Sequence, residues 1–249
     1  MKHSSAGAVL AAFIATAALL DAQSHQRALT VFVTAAPAAK PDNESQKQYE
    51  AAFAEAVNKQ KELEKTLKAQ HGNKRESWPA DVQELYRNVE EAAALAKVRS
   101  LYANASPEHL TDSVEDLRRG LTGAGLRSRK ENVILVETPD EAQLIVELRA
   151  RRDRRSAGRG LIDGLAGGDY FVLFVIKPGP KLGAEQFAAI PRTYRHQALL
   201  TRPQPGAPEW MFEAVGKGSW KVAGSVASSI VEHFIEKNYD ALTKASGSR

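Results

Sequence analysis

The chain alternates between two hydrophobic periods, and each change of period marks an element. "ALTVFVTAA", Ala28 to Ala36, is β-branched and aromatic and stops at Pro37; it predicts a strand of about six residues. "PAAKPDNE" breaks the pattern as a linker. From Ser45 to about Gln70 the apolar residues Tyr49, Ala52, Phe53, Ala56, Val57, Leu63 and Leu67 recur every three to four positions, the spacing of one helix face. Glu55/Lys59 and Glu64/Lys68 add i,i+4 pairs on the solvated side. Gly72 interrupts this helix. A second starts at "SWPAD", with Ser77 as N-cap and Pro79 in the first turn, and its stripe is Val82, Leu85, Tyr86, Val89, Ala93 and Ala96. Two such helices joined by a short turn predict an antiparallel helical hairpin, inserted at about residues 45–103 and packed on the sheet.

Ser106 and Pro107 open a third helix with Leu110, Val114, Leu117 and Leu121 on its buried side, closed by Gly123 and Gly125. The period then shortens to two. Val133 to Glu137 is a short strand, "TPDEA" a turn, and Gln143 to Arg151 a strand with Leu144, Val146 and Leu148 on one face. "DYFVLFVIKPG" is apolar on both faces, a central strand ending at Pro178. "EQFAAIPRTYRHQALL" reads as an edge strand broken at Pro191, and "RPQPGAPEW" as a proline-rich loop. A long helix from Ser219 to Leu242 closes the chain, with Val222, Ala223, Val226, Ala227, Ile230, Val231, Phe234 and Ile235 on a wide apolar face. The expected fold is a single α+β domain over residues 28–249: a mostly antiparallel sheet, the C-terminal helix across it and the helical hairpin inserted.

The order "TVFVT", "DSVEDLRRGL", "NVILVETPDEAQLIVELRAR" resembles the small periplasmic α+β domains of bacterial envelope assembly factors, the curli-secretion-lipoprotein-like and penicillin-binding-protein-activator-like groups. The resemblance covers about 50 residues plus the first strand, and rests on strand and helix grammar. It implies a non-enzymatic accessory role and carries no catalytic residue over.

The N-terminus points the same way. Lys2 precedes an uncharged, mostly apolar run from Ala6 to Leu20, the layout of a signal peptide over residues 1–22, with Ala22 and Ala17 as candidate cleavage points. Export to the periplasm or the exterior is the expectation. The chain contains no cysteine, which removes disulfides, thiolate metal sites, a cysteine nucleophile and a lipidated cysteine together. The formal charge of +4 is unevenly spread: Arg149 to Arg159 holds six arginines and one aspartate, a net of +5, so the remainder is at −1.

That basic stretch, Arg149, Arg151, Arg152, Arg154, Arg155 and Arg159, reads as a solvated connection between two strands, or as the candidate contact for an anionic lipid or polymer. No aromatic residue interleaves it, which disfavours nucleic acid. The glycines beside it fit no cofactor. Gly158, Gly160 and Gly164 are one residue too long for a dinucleotide fingerprint, and Gly167 and Gly168 are followed by Asp169 and Tyr170 rather than the lysine and hydroxyl of a P-loop. No histidine sits at metal-ligand spacing; His233 and Glu236 give H-x-x-E without its second histidine. His196 follows Arg192, Tyr194 and Arg195 on the expected edge strand, where a side chain can line a cleft, but no carboxylate stands beside it. There is no G-x-S-x-G elbow and no S-x-x-K. Ser225, Ser228 and Ser229 permit close packing of the last helix. Asp112, Glu115 and Asp116 complement a helix dipole. "NES" at Asn43 and "NAS" at Asn104 match the glycosylation pattern. Trp78, Trp210, Phe212 and Trp220 read as core anchors, with Trp210 and Phe212, after the proline-rich loop, as the alternative candidates to face a protein partner. No catalytic, metal or cofactor residue is singled out. The reading is an exported, soluble, non-catalytic binding protein of the bacterial envelope. Polyanion binding through the arginines and a hydrolase with an unrecognised site are the alternatives.

Overall fold

The computed structural model describes residues 29–36, 43–102, 110–122, 133–154, 168–204 and 206–243. The signal-peptide run, Asn104, Ser106, Pro107, Gly123, Gly125, the Arg154 side chain, Arg155, Arg159 and the glycines from Gly158 to Gly167 lie outside the described residues.

The strands are β1 (Leu29–Ala35), β2 (Val133–Leu135), β3 (Leu144–Arg154), β4 (Asp169–Pro178), β5 (Leu199–Thr201) and β6 (Trp210–Lys217). The helices are α1 (Asn43–His71), α2 (Ala80–Tyr102), α3 (Leu110–Thr122), α4 (Ala184–Ala188) and α5 (Trp220–Thr243). The strands form one sheet in the order β2-β1-β3-β4-β6-β5. The fold is α+β, but the sheet is mixed. β1 runs parallel to both β2 and β3, and only the half from β3 to β5 is antiparallel. The expectation of a mostly antiparallel sheet is corrected accordingly. A parallel pair needs a long crossover, and the helices between β1 and β2 supply one.

The main core lies between the sheet and the pair α3 and α5. Leu29, Val31 and Val33 of β1, Leu144, Val146 and Leu148 of β3, Val172, Phe174 and Ile176 of β4, and Phe212 of β6 point into it. They meet Leu117 and Leu121 of α3 and Ile230, Val231 and Phe234 of α5. The two helices cross closely, because a Cβ added to Gly120 would lie 2.2 Å from the Ser228 hydroxyl. Gly218, at φ +88°, makes the tight turn that sends the chain from β6 into α5. Ser219 Oγ accepts the Val222 N–H at 3.3 Å and caps that helix.

The other face of the sheet is covered by α2. Val98 packs on Ala150, Phe171, Leu173, Val175 and Met211, with Leu95 beside it. The helix α1 lies against α2: Gln46 reaches the Ser100 carbonyl, and Gln60 and Glu64 meet the Tyr86 hydroxyl. Trp78, Tyr86 and Leu67 form a small separate core between them. Ser77 does not cap α2. Its hydroxyl donates to the Lys74 carbonyl at 2.7 Å, within a 3₁₀ turn that precedes the helix.

The segment expected to be a long edge strand is instead α4, a run of turns past Pro191, and the three-residue β5. Its buried residues explain this. Phe187, Ile190 and Tyr194 recur at three and four positions and all point into the main core, a helical rather than a strand spacing.

Candidate functional site

Because β5 is so short, it covers only part of β6. Leu199 pairs with Phe212 and Thr201 with Met211, and the Ala198 carbonyl accepts the Glu213 N–H at 2.9 Å. β4 flanks β6 along its whole length, to Asp169 opposite Lys217. Beyond Glu213 no strand among the described residues lies on the other side of β6. The alternation that sends the Glu213 N–H outward sends the backbone of Val215 and Lys217 outward too.

A cleft of about 600 Å³ follows this open edge. Its floor is Glu213 and Val215, its long wall is Val222, Ser225, Val226, Ser229 and Ile230 of α5, and its closed end is His196 to Ala198 with Leu200. The lining is mostly apolar, and Val215 and Val222 are 41% and 42% exposed, large for valines beside a core. The polar groups are few: His196, Gln197, the two serines and Glu213, whose carboxylate faces Arg152 at 3.5 Å.

The closed end is held by a local hydrogen bond. Ala198 N–H donates to His196 Nδ1 at 3.0 Å, and Leu199 N–H to the His196 carbonyl at 3.0 Å. The His196 ring lies 5.2 Å from that of His233 on α5, and burial with the neighbouring imidazole holds its pKa below the usual value. A second, polar cavity of about 380 Å³ lies behind this segment, lined by Arg87, Glu90, Glu91 and Ala94 of α2 and by Arg195, His196, Leu199 and Leu200. His196 and Leu200 therefore stand between two cavities.

The sequence-predicted site residues are elsewhere. Trp210 is 1% exposed and Phe212 fully buried, with the Trp210 ring against Tyr194 and Phe234. Both alternate inward on β6 as core anchors, so the alternative that they face a partner is corrected: Glu213 and Val215, beyond them on that strand, reach the cleft instead. Tyr194 is buried in the same aromatic group, and burial pushes its hydroxyl up to about 12.

The arginine run does not form a cationic strip over its described part, since β3 continues through it and a β-bulge redirects it. Leu148 pairs with Phe174 and Ala150 with Leu173, which makes Arg149 the extra residue. Side chains after the bulge therefore change face. Arg151 turns into the α3–α5 side, 7% exposed, with its guanidinium 4.2 Å over the Trp220 ring and bonded to Ser113 at 3.0 Å. Arg152 lies 3.8 Å over Phe171 on the opposite face. Arg149 meets Glu147 at 2.6 Å and Glu209 at 2.9 Å. These three cations are spent on internal contacts.

Sequence reasoning missed the cleft because an edge depends on which strand stops short. Two signals were present. The apolar face of α5 is wider than one contact needs, with Val222 and Val226 at its margin. Of the three serines, Ser228 alone is buried in helix packing, while Ser225 and Ser229 line the cleft. Among the described residues no group of three or more His, Asp or Glu side chains is placed to hold a metal ion, and no helix is long and apolar enough to cross a membrane. No protein-family model, no curated protein and no solved structure matches the chain.

Proposed function

We propose that this is an exported, non-catalytic binding protein that takes an extended segment of a protein partner alongside β6. The observation that carries this reading is the open edge of β6 beside a mostly apolar cleft. An unpaired strand edge offers main-chain hydrogen bonds to any extended chain, and a flanking groove selects its alternate side chains. Here every second side chain of the guest would face Val222, Val226 and Ile230, so a segment of alternating apolar residues fits best. The side chains between them would lie over Val215 and Leu200. The cleft's volume is within the range of ordinary binding sites, and its polar groups do not assemble a nucleophile, base and orienting group.

Selection of short random peptides on the immobilised protein tests this. Peptides rich in alternating apolar residues should emerge. Their affinity should fall at least several-fold in Val215→Pro, which removes an edge N–H, and in Val222→Glu, which charges the wall. Recovery of no peptide, or of peptides indifferent to both substitutions, would overturn the proposal.

A further inference from the structure

The closed end of the cleft is a turn held by two backbone bonds, from Leu199 to the His196 carbonyl and from Glu213 to the Ala198 carbonyl, and by one titratable ring. His196 Nδ1 can accept the Ala198 N–H only while that nitrogen is unprotonated. The same turn presents the Ala198 carbonyl to the Glu213 N–H, so it covers the last rung of β6 before the edge becomes free. Room exists on both sides of it, in the cleft and in the polar cavity behind.

We propose that His196 is an acid-released latch on the cleft: a proton taken up at Nδ1 breaks its bond to Ala198, the His196–Ala198 turn withdraws from β6, and the free edge lengthens to include Glu213. This rests on the reading of the β6 edge as the binding site.

The surroundings decide the direction. From α5 the His196 ring faces His233, which repels a second positive charge. From β6 the carboxylate that lines the same cleft is Glu213, already opposite Arg152. From α2 come Arg87, Glu90 and Glu91, and Arg195 precedes it in the chain. Glu90 is bonded to Arg75 at 2.9 Å, and Glu91 is taken by Arg202. The acids around the ring are thus committed to arginines, and a protonated His196 gains more from water than from its place in the turn. The latch is closed at neutral pH and released in acid, below the ordinary histidine midpoint, because burial and the neighbouring His233 disfavour the proton.

Two substitutions separate this from a passive role. The side-chain carbonyl of asparagine can accept an N–H two residues ahead, as in an Asx turn. His196→Asn therefore keeps the fastener and removes the titration, and His196→Ala removes both. Amide hydrogen exchange at Ala198 and Glu213, corrected for the intrinsic pH dependence, is read at about pH 7.5 and about pH 5. In the unaltered protein protection at both amides should drop several-fold in acid, while amides in β4 hold theirs. His196→Asn should stay protected at both pH values, and His196→Ala should be unprotected at both. Unchanged protection in the unaltered protein, an equal drop in His196→Asn, or intact protection in His196→Ala would each overturn the latch. Exchange needs no ligand, so the outcome is independent of the peptide selection. Failure of that selection would remove the binding site and leave the exchange result to judge the turn alone.

Discussion

Arg202, just past the end of β5, holds its guanidinium against the carboxylate of Glu91 on α2, and both side chains are shut away from solvent. Glu84 at 3.1 Å and Asn88 at 3.3 Å complete the set on the same helix. These bonds outweigh the cost of burial and raise the Arg202 pKa, while Glu84 is lowered by its bond to Arg202. They tie α2 to the strand beside the cleft. Removing Arg202 leaves the buried Glu91 carboxylate without its cation, so Arg202→Met should cost about 3–5 kcal/mol in urea unfolding. The pair Arg202→Met with Glu91→Leu should recover most of that, because no charge is then left without its counterpart.

Two glycines should respond differently to a methyl group. At Gly216 an added Cβ would lie 2.2 Å from the backbone nitrogen of Ala223, and at Gly120 2.2 Å from the Ser228 hydroxyl. Each alanine substitution should cost about 1–3 kcal/mol through overpacking. Ser228→Gly should relieve Gly120→Ala in a double-mutant cycle. No trimming of a side chain can relieve Gly216→Ala, since backbone blocks it.

Arg151 is a buried cation, and burial lowers its pKa. Its volume matters more than its charge. Arg151→Met should change stability by no more than about 1 kcal/mol, whereas Arg151→Ala should destabilise by uncovering Trp220. A red shift of the Trp220 emission in the alanine variant alone would check the point.

Glu64 is held down to about 2 by its bonds to Lys68, Arg75 and the Tyr86 hydroxyl. A lowered carboxylate contributes stability that is complete above its ordinary value of 4.5 and is lost as pH falls toward about 2. The α1–α2 contact should loosen over that range. Trp78, edge-on to Tyr86 at 5.7 Å, should report it, and Glu64→Gln should flatten the acid response.

Glu232 behaves in the opposite sense. Burial raises it to about 7, so the fold prefers its protonated form and loses stability as pH rises from 4.5 through about 7. Glu232→Gln should raise the stability at about pH 8, by about 3 kcal/mol at most, and leave it unchanged at about pH 4.

Local pattern carried much of this architecture. The apolar faces of α1, α2, α3 and α5 were readable because each repeats at the helical period, and β4 was readable as a central strand because it is apolar on both sides. The segment after Gly183 misled because Pro191 splits it into pieces too short for either period to show, and its Phe187, Ile190 and Tyr194 spacing spans the break. The arginine stretch misled for a different reason. Composition gives charge but not direction, and one bulge residue at Arg149 reverses which face each following side chain meets.

The sequence by itself determined the four long helices and the strands β1 to β4, though not β5 or β6, and with them the absence of cysteine chemistry and the concentration of positive charge, because these depend on residues within a turn or two of one another. Only the tertiary structure decided that Trp210 and Phe212 point inward, that Arg151 is buried beneath Trp220, and that β5 stops short and leaves the end of β6, among the described residues, open beside Val222 and Val226. Those outcomes depend on which strand lies next to which and in what register, a choice made by burying the whole core at once and written in no single stretch of the chain.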